Sequence, residues 1–188
     1  MKFNGTQTIP ASRETVWKGL NDPAVLQQCI PGCSKIACAS PHDMKATVTI
    51  KVGPVKANFS GHVTLSDLNA PASYRISGKG EGGFAGFATG GANVKLTAVS
   101  PTETQMDYEV DAQIGGKLAM LGSRLIDSTA TSLANNFFTK FGNLMKAAGR
   151  ADPAAQKVKA VAKTATKAST SKKPIKVAKK VAKSKPKK

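Results

Sequence analysis

The sequence predicts an α+β domain in which a curved antiparallel sheet wraps around one long C-terminal helix. Three observations predict it. Six segments between residues 34 and 114 alternate apolar with polar residues and are parted by Gly, Pro and Asn turn signals. From Leu118 to Leu144, apolar residues at 118, 121, 125, 133, 137, 141 and 144 recur at steps of three, four or their multiples, the period of one helix face. Hairpin-linked strands with one-sided patterning form an antiparallel sheet with one face to cover, and an isolated amphipathic rod needs something to bury its stripe.

The elements follow in order. Lys2–Ile9 alternates loosely and reads as a strand. Pro10-Ala11-Ser12 turns the chain, Ser12 caps a helix over Arg13–Leu20, and Val16, Trp17 and Leu20 face inward. Asn21 or Asp22 caps a second short helix with Pro23 at its first position, ending near Gln28. Ile30-Pro31-Gly32 stops it. Strands are expected at 34–39, 44–52, 55–68, 74–81, 93–99 and 104–114. Gly53-Pro54 makes one hairpin, Asn69-Ala70-Pro71 another turn, and Ser100-Pro101-Thr102 the last. A glycine-rich stretch from 78 to 91 surrounds Phe84 and Phe87. Gly115-Gly116 breaks the strand pattern, and the long helix follows with Gly149 as its stop. A sheet curled round that rod is a helix-grip architecture, which leaves room between sheet and helix.

Composition divides the 188 residues in two. Residues 1–148 are long enough for one domain with a real core. Residues 149–188 form a basic tail: from 151 onward it carries thirteen lysines and one acid, Asp152, out of a net charge of +17 for the chain. The tail has no aromatic residue and few branched apolar ones, so it is expected to be disordered. Lysine near an anionic bilayer contributes roughly 1 kcal/mol per residue in a salt-dependent way. Phosphate contacts of nucleic acid obey similar electrostatics, but nothing in the tail stacks on bases, and the membrane reading is favoured. No signal-peptide pattern opens the sequence and no window approaches the roughly 18 apolar residues of a membrane span. A cytoplasmic location, peripheral to the inner face of the membrane, is expected.

Catalytic and metal chemistry find little support. Asp107, Glu109 and Asp111 alternate with Met106, Tyr108 and Val110, so they face solvent. His42 falls in a turn and His62 lies opposite the Gly61–Val63 face. No nucleophile elbow, Ser/His/Asp arrangement or phosphate-binding lysine loop occurs. Cys29, Cys33 and Cys38 are spaced unlike a zinc site, and Cys29 and Cys33 are one residue too far apart for the redox Cys-x-x-Cys motif. They read as reduced, packed thiols, with a bridge across the turn only if backbone geometry allows. The expectation is a binding protein with no catalytic residues, no metal ligands and no covalent cofactor.

The candidate binding residues are Trp17, Phe59, Phe84, Phe87, Leu121, Leu125 and Phe137, which either fill an ordinary core or line a lipophilic cavity. Small residues in the same regions (Ala57, Gly61, Ala85, Ala88, Ala119, Gly122) favour space over filling. Phe84-Ala85-Gly86-Phe87 is either a movable lip with exposed aromatics or a tight hairpin. Arg124 is either a surface residue or a polar anchor for a quinone carbonyl or a partner carboxylate.

Several stretches resemble a known family. Ile9-Pro10-Ala11, Val16-Trp17, Leu20-Asn21-Asp22-Pro23 with Leu26 and Cys29-Ile30-Pro31-Gly32-Cys33, and Gly116-Lys117-Leu118-Ala119 with Leu121-Gly122-Ser123-Arg124-Leu125-Ile126 resemble the CoxG family of carbon monoxide dehydrogenase subunits, within the polyketide cyclase/START-like (SRPBCC) superfamily. Phe137-Phe138 and Phe141 also fit, so the resemblance covers about residues 1–147. It implies a START-like helix-grip fold without established catalytic residues. It also implies an accessory role beside a carbon monoxide dehydrogenase-type molybdenum hydroxylase. On that reading the cavity holds a quinone (menaquinone or ubiquinone) or another lipophile, and the protein helps bring the enzyme, or its electrons, to the cytoplasmic membrane. The competing readings are a START-like cyclase or hydrolase, and nucleic-acid binding through the tail.

Overall fold

A computed structural model describes residues 1–151. Strand β1 (Lys2–Ile9) leads into helices α1 (Arg13–Leu20) and α2 (Pro23–Cys29). Then come β2 (Cys33–Ser40), β3 (Asp43–Val52), β4 (Val55–Asn69), β5 (Ser73–Glu81), β6 (Phe87–Ser100) and β7 (Glu103–Gly115). Helix α3 (Ser123–Ala151) closes the described chain. The strands form one antiparallel sheet in the order β1-β7-β6-β5-β4-β3-β2. The chain returns from the β6–β7 hairpin to pair β7 with β1, so every strand-to-strand connection except the α1–α2 crossover is a short turn. This is the curved sheet gripping a long helix that the sequence predicts.

Local chemistry sets the two short helices. The Ser12 hydroxyl accepts from the Thr15 amide at 3.3 Å and caps α1. The Asp22 carboxylate accepts from the Ala24 amide at 2.8 Å and caps α2, with Pro23 in the first turn. Both helices close one end of the sheet. Thr104, fully buried, donates its hydroxyl to the Ala11 carbonyl at 2.8 Å and ties the start of β7 to the entrance of α1. Val16, Leu20 and Cys29 pack there against Leu96, Met106, Phe141 and Met145 in the main core.

Several strand boundaries differ from expectation by one residue, and two elements differ by more. β2 is one residue longer at each end than 34–39. β6 begins at Phe87, not near 93, because its first half is Ala88, Gly90, Gly91 and Ala92, which carry no hydropathic alternation although they pair in register with β5 and β7. The long helix starts at Ser123. Residues Gly116–Leu121 form a 3-10 turn, and Gly122 at φ 84° breaks the backbone before α3, a conformation only glycine adopts freely. The helix then runs 29 residues, about 43 Å, to Ala151, past the expected stop at Gly149. The basic tail from residue 152 lies outside the described residues. No helix among the described residues is long and apolar enough to cross a membrane.

Candidate ligand-binding cavity

The concave face of the sheet does not meet α3 everywhere. Between them lies a cavity of about 650 Å³. Its floor is built from inward positions of the central strands: Ala46 and Val48 on β3, Gly61 and Val63 on β4, Ile76 and Gly80 on β5, Ala88 and Ala92 on β6. Its roof is Ala130, Leu133, Ala134, Phe137 and Phe138 of α3. Leu20, Leu26 and Ile30 close it at the short-helix end.

The register explains the space. Ala46 pairs with Gly61, Gly61 with Gly80, and Gly80 with Ala88. A row of four small residues thus crosses the middle of the sheet. From α3, Ala130 and Ala134, one turn apart, add two more small side chains to the lining. Side chains that elsewhere would interdigitate are missing from both walls, so close packing fails here and not at the α1 end.

Two of the lining residues carry a hydroxyl, Tyr74 and Tyr108. Tyr74 is only 5% exposed and packs edge-on against Trp17, with ring centroids 5.3 Å apart. Burial pushes its phenol pKa up, well above the usual tyrosine range, so the hydroxyl stays protonated and able to donate. Tyr108 lies beside Phe138 at 5.2 Å and uses the space left by Gly5 on the paired strand. No carboxylate, histidine, lysine or arginine lines the cavity among the described residues.

The sequence-predicted residues divide. Phe59, 7% exposed, and Phe137 stand in the cavity wall. Trp17 sits behind Tyr74 as backing. Leu121 and Leu125 join a second apolar cluster with Val52, Phe59, Ala85 and Leu118, which closes the end of the cavity away from α1. Phe84 and Phe87 point outward, 79% and 47% exposed, and Arg124 is exposed on the first turn of α3. Sequence reasoning missed Tyr74, Tyr108, Ala46, Gly80, Ala92, Ala130 and Ala134. The tyrosines were legible as inward positions of β5 and β7; the two helix alanines were legible as an i, i+4 pair on the apolar face.

Titratable groups gather elsewhere. On the outer face of β3 and β4, Asp43 accepts from Thr64 at 2.9 Å and Ser40 at 3.1 Å, and His62 lies 3.5 Å away. The serine bonds the aspartate and not the histidine, so this is no nucleophile triad. The two hydroxyls, with His62 adding less, hold the Asp43 carboxyl below its ordinary pKa. Stabilisation from such a group is complete above the unfolded carboxylate range and fades as pH falls through the lower folded value. Acid unfolding is therefore expected to begin at higher pH in Asp43→Asn than in the parent, with the two converging at the lowest pH; circular dichroism against pH measures it. Cys29 is buried, with its thiol pKa raised by that burial, Cys33 is half-buried and Cys38 exposed; all three are free. Among the described residues no three His, Cys, Asp or Glu side chains cluster as metal ligands.

A seven-stranded curved sheet around a long C-terminal helix, with an apolar cavity between, defines the helix-grip, START-like class. Solved structures agree. Zhui aromatase/cyclase from Streptomyces sp. R1128 matches with a TM-score of 0.59 at 11% identity, over 78% of this chain and 93% of its own. A START superfamily protein from Mycobacterium smegmatis matches at 0.56 and 15%, over 76% and 98%. These show the fold alone. A conserved protein from Geobacillus kaustophilus is more similar, with a TM-score of 0.73 and 30% identity over 77% of this chain and 95% of its own. No match is found among curated proteins. The family model for CoxG, a carbon monoxide dehydrogenase subunit, matches residues 5–146, and the chain belongs to that family.

Proposed function

We propose that the protein is a non-enzymatic carrier that holds a neutral lipophile of the quinone class, such as menaquinone or ubiquinone, between its sheet and α3. In this role it serves a carbon monoxide dehydrogenase-type molybdenum hydroxylase at the inner face of the cytoplasmic membrane, with the lysine-rich tail drawing it to anionic lipid. Bound there, a quinone would supply a two-electron acceptor within reach of the enzyme.

The observation that carries this reading is the cavity: apolar, of ligand size, and furnished with a protonated phenol but no charge. Such a lining disfavours a carboxylate or cationic guest, whose desolvation nothing would offset. It suits a ring carbonyl accepting from Tyr74 while the remaining guest surface meets aliphatic walls. The same lining speaks against a cyclase or hydrolase, which needs positioned acids and bases around its substrate.

Organic extraction of the purified protein followed by mass spectrometry tests the reading directly. Recovery of no lipophile, together with no uptake of added quinone, would sink it. Because Trp17 backs Tyr74, quenching of its fluorescence by a short-chain quinone reports occupancy. Tyr74→Phe is expected to weaken that binding about fivefold, the loss of one hydrogen bond of roughly 1 kcal/mol. Its unfolding midpoint in urea should not fall, since phenylalanine keeps the ring that packs edge-on against Trp17. Nucleic-acid binding through the tail is the competing outcome, checked by a DNA shift assay beside liposome flotation with and without residues 152–188.

A further inference from the structure

Five large apolar side chains are exposed among the described residues, and three of them, Phe84, Phe87 and Met120, share one end of the molecule. That end is built by two tight turns. Gly83–Ala85 is a single 3-10 turn between β5 and β6, and Gly116–Leu121 is the 3-10 segment before α3. They are locked together by close backbone approach: a side chain on Gly86 would collide with the Gly115 carbonyl, and one on Gly116 with Gly86. Ala85 and Leu118 turn inward from these two turns onto Phe59, whereas Phe84 and Met120 turn out, 79% and 84% exposed. The outward residues stand outside both apolar core clusters.

The charge around them has one dominant sign. The Lys117 ammonium lies 3.5 Å from the centre of the Phe84 ring. Arg124 is exposed in the first turn of α3, which follows Gly116–Leu121 after Gly122. Lys51 and Lys56 face each other across the β3–β4 hairpin, whose Gly53 abuts Leu125 at the same end. Glu81 is engaged by Lys79 at 2.7 Å, which leaves Asp127, a turn further along α3, as the opposing charge. The far pole is where α3 ends: Gly149 lies against Ala11, beside the Thr104 anchor at the opposite end of β7.

We propose that this paired-turn tip is a second membrane contact, separate from the tail: Phe84 and Met120 enter the headgroup layer of an anionic bilayer while Lys117, Arg124, Lys51 and Lys56 meet its phosphates. Exposed apolar side chains ringed by cations are the composition that interfacial insertion uses, with buried apolar area adding to electrostatic attraction. The tip also lies over the Phe59–Leu118–Leu125 cluster, the apolar plug between cavity and solvent at this end. Docking there sets the plug facing the lipid from which a guest would come. The proposal refines the membrane role given above and needs no guest in the cavity.

The test uses the full-length chain with vesicles of phosphatidylcholine alone or mixed with phosphatidylglycerol. Purely electrostatic attachment by the tail is released near 1 M salt, where the Debye length is about 3 Å; insertion of apolar side chains is not. In Phe84→Trp, emission should shift to the blue on mixed vesicles and be quenched by brominated acyl chains at both low and high salt, over the unchanged Trp17 background of the parent. Phe84→Ser combined with Met120→Ser should weaken high-salt partitioning on the order of tenfold or more. Both positions are surface-exposed, so thermal midpoint and quinone quenching of Trp17 should match the parent. Lys117→Glu with Arg124→Glu, added to Phe84→Trp, should reduce the blue shift on mixed vesicles at low salt, a readout the tail does not supply.

An unshifted Phe84→Trp spectrum, or high-salt partitioning of the double serine variant equal to the parent, overturns the tip proposal. If the parent is then fully released by salt, the tail alone holds the membrane role. No vesicle binding at any salt overturns both. Intact, salt-resistant insertion with no quinone uptake instead leaves the tip standing and removes the carrier reading.

Discussion

Gly61→Phe is expected to abolish lipophile uptake while leaving the protein as stable as before, or more so. Gly61 occupies an inward position at the centre of β4, paired with Ala46 and Gly80. A Cβ built there meets nothing closer than the Ala46 carbonyl at 3.7 Å and the Lys79 carbonyl at 3.9 Å, and its backbone is ordinary strand. A benzyl group therefore projects into the cavity without displacing the sheet. Replacing a strand glycine and burying an aromatic ring both favour the folded state, by about 1 kcal/mol or more together. The guest loses the volume over the small-residue row, and uptake should fall at least tenfold. Quinone quenching of Trp17 and a urea melt, run side by side, read both effects. Unchanged uptake would mean that the guest, if any, sits elsewhere.

Phe141→Ala should have the largest effect on stability of any single truncation. Phe141 is fully buried, its ring stacks on Phe137 at 5.6 Å and 10°, and it lies so close to α1 that even a methyl on Gly19 would press on it at 3.3 Å. It joins α3 to the short helices. Truncating such a side chain costs about 3–5 kcal/mol, a large share of the roughly 5–15 kcal/mol that typically stabilises a domain. Guest affinity should also drop, because Phe137 loses its backing on the cavity wall. A denaturation midpoint near that of the parent would show that α3 is held mainly by other contacts.

These two residues also mark what is legible in the sequence and what is not. The order of elements is legible because punctuation and period agree: Ser12, Asp22 and Pro23 announce helices, Gly53-Pro54 a hairpin, and β3 and β7 alternate cleanly. Phe141 is legible as one of a series at helical spacing. Gly61 is legible as a small residue on an inward face. The alignment of Ala46, Gly61, Gly80 and Ala88 into one row is not, since it depends on register across four strands and neither glycine nor alanine carries a hydropathic signal. The same silence hides the first half of β6. Gly122 reads as part of a helix because one glycine does not interrupt a periodic pattern; only its positive φ separates the 3-10 turn from α3. Phe84 and Phe87 read either as cavity residues or as an exposed lip, because aromatic composition does not reveal on which side of a tight turn a ring emerges; they are exposed.

The unequal support along α3 has a mechanical consequence. Phe141 and Met145 clamp its last turns to α1, whereas Ala130 and Ala134 overhang unfilled volume. The rod resembles a cantilever, built in at the α1 end and carried near its start by the patch around Leu125. Bending it there costs few contacts, so fluctuation concentrates in the first three turns and leaves the built-in half undisturbed. A bulky molecule can thus slip under the beam without any strand parting from its neighbour.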